Sequence, residues 1–201
     1  MTTLIAFQHE DYCLIAADSQ TTGYDLSADC SPMGKIAKNG KYLVSAAGLV
    51  RGMNLIQHGF NPPQPPRTTK PEVLDKFIIS QFIPALRKTF IQAGYDIKSD
   101  GYVASHDNDF IIAVNGTLYF IDEVYGVERT KEKIYVSGSG MKLALAAASA
   151  LDIEEVDDYE EAIEILEKAV KTAIKYDVNS GGQVQIALQT KDGKSFISYL
   201  D

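Results

Sequence analysis

A threonine at position two, behind a single methionine and ahead of the apolar run Leu4-Ile5-Ala6-Phe7, is the feature of this chain that bears most directly on chemistry. Removal of Met1 would make Thr2 the first residue. Its hydroxyl could then attack a carbonyl, and its own α-amine, with an unperturbed pKa of about 7.7–8.0, could accept the hydroxyl proton at neutral pH. Nucleophile and base would share one residue, and no histidine would be needed. Met-Thr alone also fits a start methionine ahead of an ordinary strand.

Further polar residues and glycines stand at the ends of apolar runs. Asp18 closes Ala16-Ala17-Asp18, Lys35 follows, and Gly48 ends Ser45-Ala46-Ala47-Gly48. Ser139 lies between Gly138 and Gly140 ahead of a helical pattern, and Asp177 and Ser180 stand in Asp177-Val178-Asn179-Ser180-Gly181-Gly182 after another. Each has a plain structural reading: a turn aspartate, a solvated lysine beside Lys38 and Lys41, a helix-start glycine, an N-cap serine, a Ser-Gly-Gly helix end. Each also has a chemical one. Acyl transfer needs a donor for the developing oxyanion, and the N–H of a small residue such as Gly48 lets a substrate carbonyl come close. His9, His58 and His106 have no mutual spacing suited to a metal and Cys13 and Cys30 add none, so no metal and no cofactor is expected.

The elements that must position these residues can be read in order. Two strands, 2–8 and 11–18, join through Gln8-His9-Glu10-Asp11. A hairpin turns at Asn39-Gly40 between Lys35-Ile36 and Tyr42-Leu43-Val44, and a helix can start between Gly48 and Gly59. Residues 61–71 hold five of the seven prolines and read as a stiff extended excursion. Thr69-Lys70-Pro71-Glu72 has capping-box form, and Val73, Leu74, Phe77, Ile78, Phe82 and Leu86 follow at helical spacing, with Pro84 expected to kink or divide that helix. Strands are predicted at 109–114 and 117–122 around Asn115-Gly116, and near 133–137. A helix over 140–151 precedes a longer one that opens on a capping box of Asp157 and Glu160 and carries Tyr159, Ala162, Ile163, Leu166, Ala169, Val170, Ala173 and Ile174 as one stripe. Strands 183–190 and 194–200 turn at Asp192-Gly193. This order gives α and β elements in packed layers.

A chain of 201 residues, 45% hydrophobic and 23% charged, suits one globular domain over 1–201 able to bury a core. No apolar run approaches the ~20 residues of a membrane helix, and no secretory signal layout opens the chain, which points to the cytoplasm and away from a membrane. Cys13, in a strand-like run, and Cys30, in a loop, read as reduced thiols. A formal charge of −8 without any basic run argues against a nucleic-acid partner.

Taken together and in this order, Met-Thr, Ala-Ala-Asp, Lys35, Ser-Ala-Ala-Gly, Gly-Ser-Gly and Asp-x-x-Ser-Gly-Gly resemble the proteasome β-subunit and HslV family of N-terminal-threonine peptidases. The resemblance covers nearly the whole chain except residues 58–72. It implies an α+β fold, the four-layer αββα sandwich of N-terminal nucleophile hydrolases. It further implies that Thr2 is the nucleophile, that Asp18 pairs with Lys35 and fixes it near the hydroxyl, that Gly48 serves the oxyanion, and that Ser139 bonds near the terminal amine. Asp177 and Ser180 match the remaining polar positions, closer to proteasome β subunits than to the HslV branch. The interval from Lys35 to Gly48 is a residue or two shorter than the family pattern. Direct Met-Thr is similar to HslV and bacterial proteasome-like proteins. Polypeptide substrates, a homo-oligomeric ring of six or seven subunits, stacked in pairs, and an ATP-dependent unfoldase partner are implied by the same resemblance, with the proline-rich excursion at a ring face or chamber mouth. Two other readings stay open at this point: a non-catalytic ring or scaffold protein, and an amidase of the same nucleophile class acting on small amides.

Overall fold

The computed structural model describes residues 2–22, 28–30, 33–96, 104–129 and 132–200. The chain opens with β1 (Leu4–Gln8) and β2 (Tyr12–Asp18), antiparallel with Leu4 opposite Ala17. A small two-stranded ribbon follows, β3 (Gln20–Thr22) and β4 (Ala28–Cys30). Cys30 therefore closes a short strand rather than lying in a loop. Next come β5 (Ile36–Asn39), β6 (Tyr42–Gly48) and α1 (Val50–Asn54), which widens into a π-type turn over Leu55–Gly59. Beyond the proline-rich excursion lie α2 (Pro71–Phe77), a second wide turn (Ile78–Phe82) and α3 (Ile83–Gln92). The chain continues through β7 (Asn108–Val114), β8 (Thr117–Ile121), β9 (Val127–Glu128), β10 (Ile134–Ser137), α4 (Met141–Ser149) and α5 (Tyr159–Tyr176), and ends with β11 (Val184–Thr190) and β12 (Ser195–Leu200).

Two five-stranded sheets result, in the orders β10-β1-β2-β11-β12 and β5-β6-β7-β8-β9. Successive strand residues face opposite ways, so each central strand feeds two cores. Ile5 and Phe7 join the α4–α5 core with Leu166, Ala169 and Val170. Leu4 and Ala6 turn the other way and meet Leu43, Ile111 and Leu118 between the sheets. Val44, Phe110 and Ile112 pack under α2 and α3 against Phe77, Phe82 and Phe90. Helices, sheet, sheet, helices: this is the expected αββα sandwich. Three glutamines sit among the apolar residues between the sheets and spend their amides on backbone groups of the opposite sheet. Gln185 serves Lys35 and Ile36, Gln189 serves Lys41 and Gly116, and Gln8 serves Gly116 and Leu118.

Several local expectations shift by a residue. Helix α2 starts on Pro71 with Lys70, not Thr69, as its N-cap and no side-chain cap bond. The residue ahead of a proline is driven extended, which fixes the boundary there. The cap of α5 is Asp158, whose carboxylate accepts from Glu160 N at 2.8 Å, rather than Asp157. Pro84 does not divide the helix: the backbone stays right-handed helical from Pro71 to Gln92, and a π-type segment at Ile78–Phe82 precedes the proline. In the β5–β6 hairpin only Gly40 has positive φ, at 61°. Asn39 stays in the strand and gives its amide to Ile56 O and Phe60 O.

The four hairpin turns at Gln8–Asp11, Gly40–Lys41, Asn115–Gly116 and Lys191–Lys194 share one end of the sandwich. The proline-rich excursion docks there, with Pro63 O accepting from the Tyr42 hydroxyl and Pro66 O from Asn115. Thr2, Asp18, Lys35 and Gly48 belong to the other end, about 20 Å away by the rise of a seven-residue strand.

Candidate active site

Asp18, the last residue of β2, is the hub of this end. It is fully buried, and its carboxylate accepts four hydrogen bonds. Oδ1 receives Lys35 Nζ at 2.6 Å and Thr3 N at 2.8 Å, and Oδ2 receives Gly181 N at 3.0 Å and Gln20 N at 3.2 Å. Four acceptor sites are what an ionised carboxylate offers, so Asp18 is saturated. Lys35 is 2% exposed. Gln185 Oε1 takes both the Lys35 and Ile36 amides at 2.8 Å, fixing the backbone from which the lysine reaches inward. Burial pushes the Lys35 ammonium below its usual pKa, and the Asp18 charge opposes that shift.

A second polar cluster lies at the start of β1. The buried Thr2 has its carbonyl within 3.4 Å of both Ser139 Oγ and Gly140 N. Gly138 must be a glycine here: its φ is 90°, and a Cβ would stand 2.1 Å from Thr2 O. Ser139 and Ser180 each donate to Asp177 Oδ2 at 2.7 Å, and Asn179 N approaches Oδ1 at 3.2 Å. Ser180 spends its only proton on that carboxylate, so in the 2.6 Å contact with Thr3 Oγ1 the threonine is the donor. A directed chain Thr3→Ser180→Asp177←Ser139 results. Partial burial would raise the Asp177 carboxyl, but the bonds from Ser180, Ser139 and Asn179 outweigh it and hold the pKa below the ordinary value.

Gly48 closes β6 with φ at 116°, where a Cβ would lie 2.5 Å from Asp107 O. Because β5 begins with Ile36 opposite Ser45, residues Ala46–Gly48 run past the end of that neighbour and, among the described residues, leave a strand edge without a ladder partner beside Lys35. All seven residues picked from the sequence thus gather at one end of the sandwich. They form two linked clusters, Asp18–Lys35 and Thr2–Ser139–Asp177–Ser180, with Gly48 contributed by the second sheet. Thr3, Gln185 and Asn108 were missed. Gln185 had a signal, being an amide at an inward position of an apolar strand. Thr3 looked like part of the strand. Among the described residues no group of three His, Cys, Asp or Glu is placed to share a metal ion, and no helix is long and apolar enough to cross a membrane.

No family model matches the chain. It is 27% identical over 205 residues to "Probable proteasome subunit beta type-1" of Schizosaccharomyces pombe, an alignment spanning 96% of this chain and 81% of the relative. Over nearly its whole length the chain is thus similar to a proteasome β subunit. "Proteasome subunit beta 1" of Thermococcus gammatolerans is 33% identical over 104 residues, 52% of this chain and 42% of that one. Among solved structures, Thiobacillus denitrificans BPH superposes with a TM-score of 0.69 at 19% identity, covering 99% of this chain and 98% of BPH. Eukaryotic HslV from Trypanosoma brucei gives 0.62 at 21% identity over 94% of this chain and 99% of HslV. The chain shares the fold of these two structures across nearly its full length.

Proposed function

We propose that the protein is a threonine-type endopeptidase subunit of a self-compartmentalising ring, cleaving peptide bonds with Thr2 after removal of Met1. The observation that carries this reading is the buried Lys35–Asp18 ion pair, 2.6 Å from nitrogen to oxygen, whose carboxylate also accepts the N–H of Thr3, the residue next to Thr2. A cation shielded from water beside a hydroxyl favours its alkoxide form, and Asp18 keeps that cation in place.

In the proposed reaction Thr2 Oγ adds to the substrate carbonyl carbon and its proton passes to the Thr2 α-amine, directly or through water. Gly48 N–H donates to the oxyanion. The C–N bond then breaks, the departing amine takes the proton, and an ester on Thr2 remains. Water, relieved of a proton by the same amine, hydrolyses that ester and restores Thr2. Gly140 N–H holds the terminal residue by its carbonyl, and Ser139, Asp177 and Ser180 brace it through Thr3 and the turn that carries Gly140. The open edge at Ala46–Gly48 would let an extended substrate chain pair with β6, which favours a polypeptide over a small amide.

Assembly belongs to the same proposal. Val73, Ile79 and Ile91 on the α2–α3 arm and Leu145 and Leu151 around α4 are exposed apolar side chains, between 37% and 59% accessible, on the two outer helical layers. Their placement supports burial between copies; a closed ring of six or seven, stacked in pairs and working in the cytoplasm with an ATP-dependent unfoldase, completes the proposal. The whole chain, 1–201, is read as one domain of this class.

The test is an intact mass of the native protein together with turnover by Thr2→Ala. The expected mass is that of a chain beginning at Thr2, and the variant should assemble but hydrolyse neither casein-like substrates nor short peptides. Undiminished turnover in Thr2→Ala, or a native chain that keeps Met1 yet remains active, would sink the nucleophile assignment.

A further inference from the structure

Gly48 sits at the end of a strand, beside a backbone angle that only glycine adopts freely, so its peptide plane needs an external clamp to point one way. Asn108 provides one. It is the first residue of β7, directly opposite Gly48, and only 2% exposed. Its amide nitrogen donates to the carbonyls on either side of that glycine, Ala47 O at 3.1 Å and Leu49 O at 3.0 Å. Its Oδ1 accepts from the Tyr95 hydroxyl, which orients the amide. Space for it is made by a second glycine: a Cβ on Gly52 would lie 1.9 Å from Asn108 Oδ1.

The peptide joining Ala47 to Gly48 is trans and planar, so its carbonyl and its N–H point in opposite directions. Tying Ala47 O to Asn108, on the β7 side, aims Gly48 N–H away from β7, toward the open edge beside Lys35. The next residue continues the theme from the other face of the strand, since Asp109 Oδ2 accepts from Ser137 Oγ at 2.6 Å just ahead of Gly138-Ser139-Gly140.

We infer that Asn108 is a positioning residue that aligns the Gly48 N–H as oxyanion donor, with Tyr95 setting the orientation of its amide. The inference rests on the acyl-transfer reading above. It predicts damage confined to the transition state, because Asn108 touches no substrate.

The experiment measures kcat and KM on a short fluorogenic peptide, and inhibition by a peptide aldehyde and its alcohol, for Asn108→Ala, Asn108→Asp and Tyr95→Phe. The aldehyde accepts Thr2 Oγ at its carbonyl carbon and places oxygen where the oxyanion forms; the alcohol cannot. Loss of an oxyanion donor costs about 10²–10³ in kcat, so misaiming one should cost on the order of 10–100-fold in both Asn108 variants. KM and alcohol binding should stay within about twofold, while aldehyde inhibition weakens by the same factor as kcat, the signature of an interaction made only in the transition state. Tyr95→Phe should move in the same direction by a few-fold. An unchanged kcat in a folded Asn108→Ala, or equal losses for aldehyde and alcohol, overturns the inference. If the Asn108 variants fail to fold, Tyr95→Phe decides, and unchanged kcat and aldehyde inhibition there overturns it. Retained activity in Thr2→Ala would instead identify the nucleophile reading as the failure.

Discussion

Asp18→Ala isolates the energetics of the buried pair from its chemistry. The substitution leaves the Lys35 ammonium, 2% exposed, without its carboxylate, and removes the acceptor used by Thr3 N, Gln20 N and Gly181 N. Removing one partner of a buried ion pair costs about 3–5 kcal/mol, mostly the cost of the charge left behind. For a chain of this size each kcal/mol lowers Tm by roughly 2–4 °C, so a drop of about 6–20 °C is expected in calorimetry of the assembled protein. Lys35→Met should cost less, because three backbone N–H groups still serve the Asp18 carboxylate. The double variant should fall short of the sum of the singles, since no cation then remains.

The pH dependence carries a second check. Burial already holds the Lys35 pKa below its unfolded value, and losing Asp18 removes the largest opposing influence. In the folded variant the neutral amine is favoured, so stability must rise as pH climbs through the lowered folded pKa toward the unfolded value of about 10.4. A Tm within about 2 °C of the parent at pH 7, with no gain on going to pH 9, would refute the claim that this pair is buried and coupled.

Lys35→Ala should reduce peptide turnover by about 10²-fold or more, the scale of a lost electrostatic group, whereas Lys38→Ala and Lys41→Ala, both exposed on the β5–β6 hairpin, should leave it within about twofold; inactivation by Lys38→Ala instead would misalign the hairpin. Shortening residues 61–67 removes acceptors for Tyr42 and Asn115 at the far end of the sandwich, so it should lower stability by roughly 1–3 kcal/mol, about 1 per hydrogen bond, and spare cleavage of short peptides. Asp177, whose carboxyl is held below its usual pKa, contributes stability that is complete above about pH 4 and lost as acid titrates through the lowered value. Thermal melts of Asp177→Asn should therefore show a flatter decline than the parent between about pH 5 and pH 3.

Strands and helices were legible wherever a period met a boundary residue. The alternation in β1, the α5 stripe and the Asn115-Gly116 turn, both of whose residues have positive φ, are local signals that the packing did not override. The short ribbon β3–β4 and strand β9 were invisible because two or three residues carry no period. The α5 stripe itself was blurred: Ile165 is buried while Tyr159 is 46% exposed, as helical spacing marks a face without saying how wide it is. Within the site, the residues read from the sequence are those whose type is chemically unusual at a strand or helix end. The ones that align them escaped, for a physical reason. Thr3 acts through the Asp18 carboxylate 15 residues away and Asn108 through backbone carbonyls about 60 residues away, and no local pattern encodes a partner at that range.

The short span between Thr2 and the sheet acts as a ruler. Leu4 is locked opposite Ser137 on one side and Ala17 on the other, and Asp18 takes the amide of the intervening Thr3. The location of the proposed nucleophile is therefore counted in residues from a fixed mark rather than searched for by a flexible arm. One extra residue between Thr2 and Leu4 would displace the Thr2 hydroxyl by the ~3.3 Å rise of a strand residue, more than the length over which a hydrogen bond holds, while leaving the pairing of Leu4 with Ser137 and Ala17 in place. On the nucleophile reading, such an insertion would yield a folded and silent protein.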